Sequence, residues 1–298
     1  MAPQKTEAAL ELKSEAILGE GPVWDERDNK LWWTDILSGM IICYSPEDQT
    51  SRIYHIGECV GALALREKGG LVLALQSGFA FFDPETGDLQ KIHDPEADKP
   101  ANRFNDGKCD PSGRFWAGTM AYVQDDQSRG KGSLYRLNSA LTSKKILSDI
   151  TISNGLAWNT RERKFYFIDT PEREIRSFDY DENTGEISNP SVLRILKPDD
   201  GYPDGMTIDE EGYLWVALYF GHKVIRLNPQ NGQTVYEITL PVPKATCCTF
   251  GGKSLDVLYI TTAREHMTEQ ELKNYPLSGS LFKAKVPFQG LPSDRFLG

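Results

Sequence analysis

Histidine is nearly missing from this chain. Only four occur, His55, His93, His222 and His266, and no two stand four apart, which excludes the paired-histidine zinc site of metalloproteases. Positive charge is also short, with 33 Lys and Arg against 43 Asp and Glu and a formal net charge of −10. A nucleic-acid backbone or an anionic membrane surface selects for the opposite balance, so neither is expected as a partner. No apolar run approaches the roughly 20 residues that a membrane-crossing helix needs. Met1 to Glu7 carries no apolar leader segment, and the five cysteines are odd in number with no Cys-x-x-Cys spacing. A disulfide framework is therefore not expected, and a reduced, cytoplasmic protein is. Gly-x-Ser-x-Gly is absent, which removes the serine-esterase elbow. Gly252-Lys253-Ser254 ends like a phosphate loop, but Cys247 occupies the place of its first glycine. Asp179, Asp181 and Asn183 begin like a calcium loop, but the glycine is displaced to Gly185 and Pro190 replaces the closing Glu.

Helical periodicity is equally scarce outside Met267 to Tyr275. What fills the chain instead is short runs of β-branched and aromatic residues between Gly, Pro, Asn and Asp. These runs repeat. Leu31-Trp32-Trp33-Thr34, Phe115-Trp116-Ala117-Gly118, Phe165-Tyr166-Phe167-Ile168, Leu214-Trp215-Val216-Ala217 and Leu258-Tyr259-Ile260-Thr261 are five versions of one strand, and Leu71-Val72-Leu73-Ala74 is a sixth without an aromatic. Later in the unit, Phe82 to Gly87, Tyr180 to Gly185 and Leu227 to Gly232 share a turn whose final Gly can accept positive φ. Opening strands align on Trp24, Leu65, Cys109, Trp158, Ile208 and Phe250, at intervals of about 40 to 50 residues. Four strands per unit at that period predict an all-β fold, a six-bladed β-propeller with four antiparallel strands per blade. No composition break or linker divides residues 1–298, so one propeller domain is expected. Leu10 to Ala16 is expected to supply the outer strand that closes the last blade against Gly279 to Val286. A β-sandwich would not explain six evenly spaced copies.

Inner strands of a propeller line one channel, so matched positions in the units form a ring. Four residues before each alignment residue the chain reads Glu20, Gly61, Asn105, Asn154, Asp204 and Thr246. Two carboxylates and two carboxamides on one axis suit a hard divalent cation rather than a thiolate zinc site. Without a cation, Glu20 and Asp204 would repel until one took a proton. The plainer reading, that Asn-Gly and Asp-Gly pairs only form turns, accounts for each pair singly and not for their matched register.

The segments Gly19-Glu20-Gly21-Pro22-Val23-Trp24, Asn102-Arg103-Phe104-Asn105-Asp106-Gly107-Lys108, Ala117-Gly118-Thr119-Met120, Ile152-Ser153-Asn154-Gly155-Leu156-Ala157-Trp158 and Tyr202-Pro203-Asp204-Gly205-Met206 resemble the gluconolactonase, regucalcin and luciferin-regenerating enzyme family. The resemblance runs in order from about Leu18 to Val286. It implies a divalent cation held by Glu20, Asn154 and Asp204, with Asp204 also catalytic and Arg103 and Asn105 contacting substrate. Ca²⁺ is the first expectation for that cation, with Zn²⁺, Mn²⁺, Mg²⁺ or Fe²⁺ as alternatives in catalysis. The implied activity is hydrolysis of a small lactone, such as a sugar lactone, by a monomer or weak dimer. In this scheme Asp204 acts as general base, a water acidified by the cation being the competing candidate. Mammalian members carry acidic residues just after the Ala-Gly-Thr-Met motif. Here Tyr122 and Val123 stand there, with Asp125 and Asp126 later in an expected lid loop. Tyr122 thus becomes a third expected substrate contact, and the less acidic rim tilts toward less hydroxylated substrates. Two other functions fit the same ring: a calcium-binding regulatory protein of regucalcin type, and a hydrolase of organophosphates or nitriles. Cys247 and Cys248 read as core residues, and His222 as a loop histidine.

Overall fold

The structure is a computed structural model describing residues 3–298. Among these residues six sheets follow one another, five of four antiparallel strands and one of four antiparallel strands with a fifth added. Their innermost strands are Gly19–Asp25, Val60–Leu65, Asn102–Cys109, Ser153–Asn159, Tyr202–Ile208 and Ala245–Gly251. This is the six-bladed propeller that the repeats predict. The aromatic-rich runs are the second strands, among them Lys30–Asp35 and Leu214–Tyr219. The shared turns close as expected, with Gly87, Gly185 and Gly232 at φ of 81°, 69° and 66°.

The core is divided among the gaps between neighbouring sheets. Trp32, Leu63 and Leu73 fill the gap between the first and second blades, and Ala64, Phe79 and Phe115 the next. Trp116 and Trp158 meet between the third and fourth, Tyr166 and Met206 between the fourth and fifth. Trp215 and Phe250 pack between the fifth and sixth, and Trp24 stacks on Tyr259 at 5.6 Å where the sixth meets the first. Each second strand is buried on both faces, which explains its continuous apolar run.

Both termini fasten the ring. Ala9–Leu12 pairs antiparallel with Leu281–Lys285, so the sixth sheet takes its outer strand from the start of the chain. Gln4–Glu7, for which no separate strand was expected, adds a parallel fifth strand to the fifth sheet along Thr234–Thr239. At the other end, Gly290 bridges to Asp209, Arg295 pairs with Asp25, and the fully buried Phe296 bonds to the backbone of Leu65 and Glu67. The expected helix is Glu269–Asn274, started by a Thr268–Glu271 capping box. No helix among the described residues is long and apolar enough to cross a membrane.

Candidate active site

All six innermost strands break register against their neighbours at the predicted ring position. The breaks fall between Glu20 and Val23, Val60 and Ala62, Phe104 and Gly107, Asn154 and Leu156, Pro203 and Met206, and Ala245 and Cys247. A bulge releases residues from the ladder and re-aims their side chains. Here it happens six times at one level of the channel. Two glycines show how tightly the strands converge. A β-carbon on Gly61 would overlap the backbone of Phe104 and Asn105, and one on Gly155 would stand 2.8 Å from the Asp204 carbonyl oxygen.

Glu20, Asn105, Asn154 and Asp204 are all buried, with exposures of 4%, 6%, 3% and 5%. Asn105 Nδ2 donates to the Ser153 carbonyl at 2.9 Å and to Asn154 Oδ1 at 3.3 Å, joining the third and fourth blades. Asn154 Nδ2 donates to the Thr170 hydroxyl at 2.8 Å, and that hydroxyl donates to the Pro203 carbonyl at 2.8 Å. The amide of Asn154 is thereby turned with its oxygen away from Thr170. Carboxylates fasten the approaches: Asp35 accepts from the amides of Ile17 and Leu18, Asp169 from those of Thr151 and Ile152, each at 3.0 Å. Both clamps act just before a ring residue, Glu20 or Asn154.

The electrostatics are those of acids held without enough positive charge. Burial and the nearby Asp106 carboxylate push Glu20 up to about 8. Burial, then Glu20, Asp106 and Glu265, hold Asp204 well above the usual carboxylate range. Burial likewise lifts Asp106 to about 6, against the opposing pull of Lys108. Each buried ion gives up several kcal/mol of hydration, and mutual repulsion adds to that. A hard divalent cation on Glu20, Asp204 and the Asn154 oxygen reverses both terms, so the donor set fits such an ion. No three His, Cys, Asp or Glu side chains among the described residues form a cation cage by themselves, and the Asn154 carboxamide oxygen is the further donor that this group offers.

Arg103 is buried against this group. Its Nη1 donates to the Phe104 carbonyl at 2.9 Å and to Asn105 Oδ1 at 2.8 Å, while its Nε has no partner. Asn105 differs from its sequence expectation as a donor and acceptor for substrate: both amide hydrogens are already engaged, leaving only lone-pair capacity on Oδ1. Tyr122 stands at the rim, 46% exposed, near enough to Arg103 and the Cys59 thiol to bear on the charge of both. Asp125 accepts from the amides of Gln127 and Ser128, a turn-forming role in its loop. Cys247 and Cys248 are buried as predicted, and His222 lies against Tyr275, 5.5 Å between ring centroids.

Four participants escaped the sequence reading. Strict alternation along a strand would aim Asp106 away from Asn105, and only the bulge brings both to the site. Thr170 and Tyr219 stand on other elements, and nothing local marks them. Glu265 lies in the loop between Val257–Thr262 and the helix, yet its charge is felt by Glu20, Asp204, Arg103 and Tyr219.

Residues 18–264 match a family described as SMP-30/Gluconolactonase/LRE-like region. Over 292 residues the chain is 40% identical to the Bacillus subtilis protein named "Putative sugar lactone lactonase YvrE", covering 98% of this chain and 99% of that one. It is 38% identical over 284 residues to Regucalcin of Xenopus laevis, with 94% and 95% covered. Among solved structures, a calcium-binding protein, regucalcin, from Agrobacterium tumefaciens superposes with a TM-score of 0.93 at 26% identity, over 99% of both chains.

Proposed function

The chain belongs to the SMP-30/gluconolactonase/LRE-like family, and from that premise we propose that it hydrolyses a small lactone at a divalent cation held by Glu20, Asn154 and Asp204. The observation that carries this reading is the meeting of Glu20, Asn105, Asn154 and Asp204 at bulges of matched register, as a set of buried acids and amides short of positive charge. A relative named for a sugar lactone and one named for calcium binding support the substrate class and the cation of this reading. When bound, the cation supplies Lewis acidity at the ester carbonyl and favours the ionised form of its ligands.

The remaining roles belong to the chain. Asp204 takes a proton from the attacking water as the water oxygen bonds to the carbonyl carbon. The ring carbon–oxygen bond then breaks, and the same proton passes from Asp204 to the departing alkoxide. The product is one open hydroxycarboxylic acid holding every atom of lactone and water, and its carboxyl then releases a proton to solvent. Arg103 offers its unpartnered Nε edge to substrate oxygens, and Asn105 fixes the guanidinium that makes the contact. Tyr122 covers the entrance. Calcium is the first cation to try, given the calcium-binding relative. That relative also supports a second reading, in which tight calcium binding without turnover serves regulation.

Asp204→Ala tests the assignment. With cation saturating, turnover is expected to fall by at least about 10²-fold, the usual scale of a lost general base. Near wild-type turnover in that variant would remove Asp204 from the chemistry.

A further inference from the structure

A hydroxylated substrate presents hydrogen-bond donors as well as acceptors, and the ring residues leave little to receive a donor. Glu20, Asn154 and Asp204 would be taken up by the proposed cation, and Asp106 is 4% exposed with one oxygen on the Gly107 amide at 2.7 Å. Asn105 Oδ1 accepts from Arg103 and keeps a single lone pair free. The entrance segment carries Tyr122 and Val123, neither of them acidic. Glu265, in the loop that follows the second strand of the sixth blade, is a carboxylate outside the proposed cation set.

Its place is fixed by backbone and side-chain ties. Amides of Arg264 and Glu265 both donate to the Ile17 carbonyl, at 3.0 and 2.8 Å, and Ala263 bridges to Leu18. Ile17 stands three residues before Glu20, a span of at most about 10 Å even when fully extended. From the other side, Lys244, 1% exposed, donates its Nζ to the Glu265 carbonyl and lies 5.1 Å from the centre of the Tyr219 ring. Lys244 in turn stands two residues before Thr246, the ring position of the sixth blade. The loop is therefore sewn to two inner strands at the level where they enter the channel. The Glu265 side chain keeps 20% exposure, and its Oε1 stands 3.2 Å from Nε2 of the exposed His266.

We propose that Glu265 is the specificity-determining residue of the mouth, a carboxylate that accepts a hydrogen bond from a ring hydroxyl and so selects polyhydroxylated, sugar-like lactones over alkyl ones. The proposal rests on the lactonase reading for its substrate and names the class within it. It also reverses the tilt toward less hydroxylated substrates that Tyr122 and Val123 suggest, because the acid comes from the sixth blade instead of the third. The hydroxyl donates, a carboxylate oxygen accepts, and Arg103 donates to other oxygens of the same ring. A charged hydrogen bond of this kind is worth about tenfold or more in affinity.

The test compares wild type with Glu265→Gln, which keeps the shape and removes the charge, and with Glu265→Ala. The kcat/KM of gluconolactone divided by that of δ-valerolactone is expected to fall about tenfold in Glu265→Gln. A ratio that does not move in either variant overturns the proposal. A second arm needs no turnover: calorimetric binding of anhydroglucitol, a sugar ring without an ester, to cation-loaded full-length protein. Roughly tenfold weaker binding by Glu265→Gln supports the role, whereas equal affinities, or no binding by wild type, overturn it. Failure of wild type to open either lactone defeats the lactonase reading, and the anhydroglucitol arm still judges Glu265.

Discussion

Asn154 is a neutral ligand candidate whose usefulness depends on which way its amide points. Thr170 decides that, taking the amide hydrogen and passing its own to the Pro203 carbonyl beside Asp204. Valine at this position keeps the shape and removes both bonds. Thr170→Val is therefore expected to weaken cation binding about 10- to 100-fold, the scale seen when a ligand loses its orienting partner, and to cost only about 1 kcal/mol of stability. Titration calorimetry and thermal unfolding on one preparation separate the two effects, and unchanged affinity would contradict the positioning role. The sequence showed the ring at this scale because Glu20, Asn105, Asn154 and Asp204 share a register, while the choice of Glu20, Asn154 and Asp204 as ligands came from the family resemblance. It could not show Thr170, Glu265 or Tyr219, whose positions beside the site arise from chain segments meeting in space.

Bulges are the device at the scale of the strand. An uninterrupted inner strand would aim alternate side chains at the channel. The break lets Asn154 and Asp204 stand beside glycines, Gly155 and Gly205, that admit the neighbouring strand. Gly61 shows the same constraint where no polar group is needed. Gly61→Ala must push back the Phe104 and Asn105 backbone, at an expected cost of about 1 to 3 kcal/mol. Because that backbone carries Asn105 and Arg103, kcat/KM for the lactone is expected to drop with it. Chemical denaturation with parallel kinetics checks both, and full stability in the variant would mean the strands are less crowded than they stand here. The repeats made six inner strands legible. The bulges were not legible, since a register shift is set by the pairing strand as much as by the bulged one, and Asp106 was missed for that reason.

Closing the whole ring brings together acids that are far apart in the chain, Glu20, Asp106, Asp204 and Glu265. Unfolded, such groups titrate at about 4; folded, burial moves Asp106 to about 6, and burial together with repulsion moves Glu20 to about 8 and Asp204 well upward. The cation-free fold therefore holds more protons than the unfolded chain above about pH 4, and its stability declines as pH rises through those values. Melting of cation-free protein is expected to drop in temperature between about pH 5 and pH 9, and saturating cation to remove most of that slope. A cation-free melting temperature that stays level over this range would show that the acids are not held together as described.

The central claim is that this ring of acids and amides serves a cation-dependent opening of lactones. Its most direct test is a pH-indicator assay of metal-stripped protein on a panel of sugar lactones, with Ca²⁺, Mg²⁺, Mn²⁺, Zn²⁺ and Fe²⁺ restored one at a time. Acid release that is absent without metal and returns with at least one cation is the predicted result. A cation that binds while every lactone in the panel stays intact would contradict the claim and leave calcium binding as the site's role.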